Sequence, residues 1–219
     1  MTAPQEVFRR IRGEGWLVLA GGAPLLGRPY PHLAERLLEH TDLSQPCRIL
    51  VSGAATRDQD QFLEDVDVLL NSHVQVGALE TIAPAPDLGS GLLALLGGDS
   101  GSWLAALGRK KLDESLLDTL TDGGVVLAAP QASACFGSWV FSSDSGEAAP
   151  GLGWLPGAAV IPGQEDPVDD ERVRRLLNDR SKVYALGLPT SAILALGPEG
   201  QVEVWGEAPP RVALGKGWV

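Results

Sequence analysis

Four short apolar runs constrain the fold more than anything else in the chain. They are Trp16–Ala20, closed by Gly21-Gly22; Arg48–Ser52; Leu92–Leu96, closed by Gly97-Gly98-Asp99-Ser100-Gly101; and Gly124–Ala128. Runs of this length that do not alternate read as strands buried on both faces. Helical spacing lies between them. Pro31 to His40 places Leu33, Leu37 and Leu38 on one face, and Pro31 suits a first turn. Phe62, Leu63, Val66, Leu69 and Leu70 repeat that spacing, with Asn71 as a stop. Helix is expected again from about Trp103 and across Leu112 to Leu120. Val74–Leu79 alternates like a further strand, which makes Gly124–Ala128 the fifth. Strands alternating with helices imply βαβ units, hence a mostly parallel sheet covered on both faces.

The end of the chain changes character. Ser142–Pro156 is rich in Gly, Ser and Pro and reads as a loop. Ala158–Ile161 reads as a strand and Val168–Asp179 as an amphipathic helix. Val183–Leu186, Ala192–Leu196 and Gln201–Trp205 are strand-like, and Gly197-Pro-Glu-Gly200 joins the last two as an antiparallel hairpin. No repeat or linker divides the 219 residues. The expected fold is a single α/β domain over 1–219: a three-layer αβα sandwich with a mostly parallel central sheet and a C-terminal antiparallel β-hairpin.

Charge narrows the partners. The formal net charge of −11 argues against nucleic acid and anionic membranes, which select basic surfaces. No run approaches the ~18 apolar residues of a spanning helix, and the N-terminus lacks a signal-peptide core, so a cytoplasmic protein is expected. Cys47 and Cys135 form no metal-binding spacing and are expected to be reduced. Gly21-Gly22-Ala23 lacks dinucleotide-binding spacing and reads as a tight turn. No cofactor and no metal are expected. Six tryptophans, among them Trp103, Trp139 and Trp154, leave room for an apolar homodimer interface, although core is the simpler place for each.

In an open α/β sheet, ligands sit beyond the carboxyl ends of the strands. The Gly97–Gly101 segment enters a helix there, and its N–H groups suit an anion or simply a turn. Ser133, in Ala129-Pro-Gln-Ala-Ser-Ala-Cys135, follows the fifth strand. That is where a nucleophile elbow displays its hydroxyl, but a structural or helix-capping serine fits the same residues. The glycines of G-x-S-x-G are replaced by Gln131 and Cys135. Cys135 reads either as a thiol activated by the helix N-terminus or as a small buried hydrophobe.

Taken in order, these segments, with Gly151-Leu-Gly-Trp-Leu-Pro-Gly157 and Gly187-Leu-Pro-Thr-Ser-Ala192, resemble the dipeptidase E and cyanophycinase family of serine peptidases. The resemblance runs from about Trp16 to Glu207 and implies a class I glutamine amidotransferase-like fold. It places the nucleophile at Ser133 and an oxyanion hole at Gly97, Gly98, Asp99 and the N–H of Ala134. The implied activity is cleavage of peptide or isopeptide bonds next to aspartate.

The chain departs from that pattern. The segment Leu155–Glu165, where the family carries its catalytic histidine, contains none; the only histidines are His32, His40 and His73. Glu165 or Asp166 is a candidate carboxylate base, Asp144 a candidate orienting acid, and His32 the one histidine at the correct sheet edge, although a solvated helix end is the simpler account of it. Leu188-Pro189-Thr190 lacks the family's acid. Three readings follow, in order. The first is a catalytically degenerate relative that acts in binding or interaction, with a small peptide-like ligand as one partner. The second is a serine hydrolase with a rearranged base at His32 or Glu165, and the third a Cys135-dependent amidotransferase-like activity.

Overall fold

The computed structural model describes residues 8, 10, 13–23, 32–53, 56–69, 74–79, 91–109, 112–141 and 146–218. The first half follows the expected alternation. It runs β1 (Trp16–Ala20), α1 (Leu33–His40), β2 (Cys47–Ser52), α2 (Arg57–Leu69), β3 (Val74–Ala78) and β4 (Leu92–Gly97). Two helices, α3 (Ser100–Arg109) and α4 (Leu112–Thr121), lead to β5 (Val125–Ala128) and a short α5 (Pro130–Cys135). The second half is mainly strand: β6 (Gly137–Phe141), β7 (Ala148–Pro150), β8 (Leu155–Pro162), α6 (Glu171–Asp179), β9 (Tyr184–Leu188), β10 (Ile193–Leu196), β11 (Val202–Val204) and β12 (Arg211–Leu214).

Seven strands form the central sheet in the order β11-β10-β1-β5-β4-β2-β3. β1, β5, β4, β2 and β3 are parallel, and β10 runs antiparallel between β1 and β11. Leu17–Ala20, Leu92–Leu96 and Val125–Ala128 are buried throughout, because both faces of these strands are covered. On one face Leu33 and Leu37 of α1 and Phe62 and Val66 of α2 pack against Val18, Ile49 and Ala94. There Trp16, His40 and Trp205 stack, with ring centroids 4.4 to 5.4 Å apart. On the other face lie Trp103 of α3, Leu116 of α4 and Cys135 of α5.

Part of that second layer is itself a sheet. Five strands in the order β12-β9-β8-β6-β7 bring Leu155, Val160 and Leu186 into the same core as Leu17 and Leu95. α6 covers the outer side through Val173, Leu176 and Leu177. The αβα layering therefore stands, with a second sheet occupying part of one helical layer. Four of the six tryptophans, Trp16, Trp103, Trp154 and Trp205, are buried, so most of the apolar surface they offered an interface is core. Trp139 is half-buried beneath Arg180, whose guanidinium carbon lies 3.9 Å from the ring centroid.

Several segments differ from the sequence expectation. The helix after Ser133 ends at Cys135 and gives way to β6. β7 lies within the segment read as a loop, and β12 went unforeseen. The helix expected over Val168–Asp179 is divided at Asp170. The Asp166 carboxylate accepts from the Val168 N–H and starts a 3₁₀ turn, and the Asp170 carboxylate accepts from the Arg172 N–H and starts α6. Among the described residues, no helix is long and apolar enough to cross a membrane.

Candidate functional site

β2 and β4 are neighbours, yet the chain leaves them on opposite faces. After β2 it passes into α2, which packs on the Ile49 and Ala94 side; after β4 it passes into α3, on the Leu93 and Leu95 side. Diverging connections leave a crevice at the carboxyl ends of the strands. A cleft of about 370 Å³ lies there, with Ser52, Gln59, Phe62, Gly97, Gly98 and Pro130 in its wall.

The turn after β5 meets this cleft, but Ser133 does not. The strand ends at Ala128 and the helix starts at Pro130, so the turn itself is Ala129-Pro130. Ala129 has ordinary extended dihedrals, φ −69 and ψ 166, not the strain of a nucleophile elbow. Ser133 lies one helical turn further on and has 0% exposure. Its hydroxyl donates to the Ala128 carbonyl at 2.8 Å and accepts from the Ala20 N–H at 3.1 Å. Those backbone groups lie at the ends of adjacent strands, so the serine ties β1, β5 and α5 together. The expected display of Ser133 at the turn is thus corrected. Pro at the first helical position begins the helix early and carries the serine inside.

The other residues of the expected oxyanion hole are differently occupied. Ala134 lies in the last turn of α5 and is buried. Gly97 and Gly98 both line the cleft with positive φ, 71 and 67. The Asp99 carboxylate turns toward its own helix, accepting from the Ser102 N–H at 2.9 Å and the Ser102 hydroxyl at 2.6 Å. The Ser102 hydroxyl and then its N–H hold Asp99 below the usual carboxylate range. Cys135 is fully buried, and its thiol donates to the Ser100 carbonyl at 3.4 Å. Burial, with the Asp99 carboxylate second, pushes that thiol up to about 12, the reverse of an activated cysteine. Cys47 and Cys135 are both free.

Among the described residues, the candidate bases do not converge on Ser133. The His32 side chain is 73% exposed at the start of α1, with Nδ1 3.6 Å from Glu35. Glu165 is exposed in the turn beyond β8. Asp144 and His73 lie outside the described residues. Among the described residues, the Ser133 hydroxyl is bonded to Ala20 and Ala128 only.

Gln59 is the residue that the reading of strand ends passed over. It is 8% exposed, on the first turn of α2, and it lines the cleft. Its Oε1 accepts from the Thr56 N–H at 2.8 Å, and its own N–H donates to the Thr56 hydroxyl at 3.3 Å. This is a reciprocal capping box. Its signal, Thr56-x-x-Gln59 ahead of an apolar helix, is visible in the sequence. The remaining amide group, Nε2, packs beside Gly97, where a Cβ would overlap it. The missing side chain at Gly97 therefore makes room for Gln59.

No family model matches the sequence, and no curated protein does. Solved structures do. A peptidase from an acI-B1 Actinobacterium aligns with a TM-score of 0.60 at 16% identity, covering 93% of this chain and 96% of that one. A candidate Peptidase E protein from Listeria monocytogenes EGD-e aligns with a TM-score of 0.54 at 13% identity, covering 89% and 99%. The chain has the peptidase E-like fold. Its mixed sheet and flanking helices form the class I glutamine amidotransferase-like arrangement that the sequence resemblance implied. Near-complete coverage on both sides means that the likeness takes in the second sheet as well as the βαβ core.

Proposed function

We propose that this chain is a non-hydrolytic protein on a peptidase E-like fold, whose carboxyl-edge cleft binds a small peptide-like ligand without cleaving it. One observation carries the reading: the Ser133 hydroxyl is sealed in the core, with donor and acceptor both committed to backbone. A serine nucleophile must reach the substrate and pass its proton to a base within about 3 Å. The turn that faces the cleft carries Pro130 instead, which has no nucleophilic atom. The sequence supports the same reading, since no histidine follows residue 73.

The test is a serine-directed fluorophosphonate probe on the full chain, read by intact mass and peptide mapping. No adduct is expected. A stoichiometric adduct mapped to Ser133, together with hydrolysis of an aspartyl dipeptide, would overturn the proposal.

A further inference from the structure

We infer that the cleft selects a small uncharged carbonyl compound, whose oxygen accepts a hydrogen bond from Gln59 Nε2, over the matching carboxylate. The inference rests on the reading of this cleft as a binding site and names its ligand class.

Gln59 is the polar side chain that sets this preference. The Thr56 N–H holds its oxygen, which fixes the orientation of the amide and leaves Nε2 beside Gly97 in the cleft wall. An amide nitrogen has two donors, and among the described residues Nε2 has no acceptor. Gln59 is 8% exposed, and the donor it leaves without a protein acceptor faces the cleft, where a ligand oxygen can take it. Around it, Phe62, Leu96 and Pro130 offer apolar wall for the rest of such a molecule.

Charge sets the second half of the inference. Helix N-termini attract anions, and two long helices begin at this edge. Each already carries its own carboxylate there: Asp58 in the first turn of α2 and Asp99 at the start of α3. Asp58 is also the only charged side chain in the described wall. A carboxylate ligand would lose its water there and meet no cation among the described residues of the wall. An uncharged carbonyl loses less and finds the waiting donor.

The experiment titrates the full chain with N-acetyl-leucinamide and, separately, with N-acetyl-leucine at neutral pH. It follows the Gln59 side-chain amide signals by ¹H–¹⁵N NMR. The amide compound should shift those signals, with a Kd at least tenfold below that of the acid. Gln59→Glu keeps the oxygen that caps α2 and replaces only the donor. It should melt within a few degrees of the parent and lose at least tenfold in affinity for N-acetyl-leucinamide. Equal or tighter binding of N-acetyl-leucine would overturn this inference and leave the binding reading standing. So would an unchanged affinity in Gln59→Glu. No shift with either compound at millimolar concentration would mean that water alone completes Gln59, and would overturn the inference. A fluorophosphonate adduct at Ser133 would sink the non-hydrolytic reading independently of these titrations.

Discussion

Two turns at the same sheet edge treat their polar groups in opposite ways. At the β5–α5 turn, Ser133 points inward, donating to the end of β5 and accepting from the end of β1. At the β2–α2 turn, Gln59 closes one end of its amide on Thr56 and leaves the other at the cleft. Both side chains are buried, and both belong to the helix that follows the turn. The difference shows that a polar residue in the right place is not enough for a site. A side chain with an atom left over can meet a ligand; one whose atoms are all paired holds the scaffold.

The comparison can be broken by substitution, most severely at Gly97. Its φ is 71, and a Cβ there would overlap both the Gln59 amide and the Ser52 carbonyl. Gly97→Ala should cost about 2–5 kcal/mol by left-handed strain plus overpacking. Chemical denaturation measures that loss, and NMR should show the Gln59 amide displaced. Near-parent stability would mean that Gln59 is not wedged against Gly97.

Ser133→Ala comes next. It strips the Ala20 N–H and the Ala128 carbonyl of their buried partner, at a cost of about 1–3 kcal/mol. For a chain of this size, each kcal/mol lowers Tm by about 2–4 °C. Ligand-induced shifts at Gln59 should survive, because the two turns are separate devices. Loss of those shifts with the fold intact would join what the structure separates.

Alkaline pH probes the layer beneath the cleft. The Cys135 thiol is raised to about 12 in the fold, against an ordinary value of 9.0. Unfolding therefore releases a proton once the pH passes 9. The stability from keeping this thiol neutral is fully present below pH 9 and is lost as pH climbs toward 12. At pH 10 the effect is about 1 kcal/mol. Cys135→Ala should flatten that part of the stability curve, and an unchanged slope would place the thiol nearer water. The smallest effect lies far from both turns, in the β10–β11 hairpin. Glu199 has φ 54 there, so Glu199→Gly should stabilise by about 0.5 kcal/mol and leave the cleft untouched.

Legibility followed burial. β1, β4 and β5 were plain in the sequence because a strand covered on both faces must be apolar at every position. The hairpin of β10 and β11 was plain because its turn is short and glycine-bounded. β7 and β12 are three and four residues long and have no buried position, so they carry neither an apolar run nor a clear alternation. α5 is too short to show a helical period, and β6 follows it directly. The site was harder still. Ser133 presents the same letters whether it faces substrate or backbone, and a one-turn difference in where the helix starts decides which.

The sequence by itself determined the parallel sheet, its flanking helices, the sheet edge at which a cleft forms and the absence of a histidine after the fifth strand. All of these follow from apolar periodicity, turn chemistry and residue counts along the chain. Only the tertiary structure decided that Ser133 is a tie between strands and that Gln59 has an amide nitrogen to spare. Contacts distant in the chain settle both. Ser133 meets Ala20, 113 residues away, and Gln59 leans on Gly97 of the next strand in the sheet.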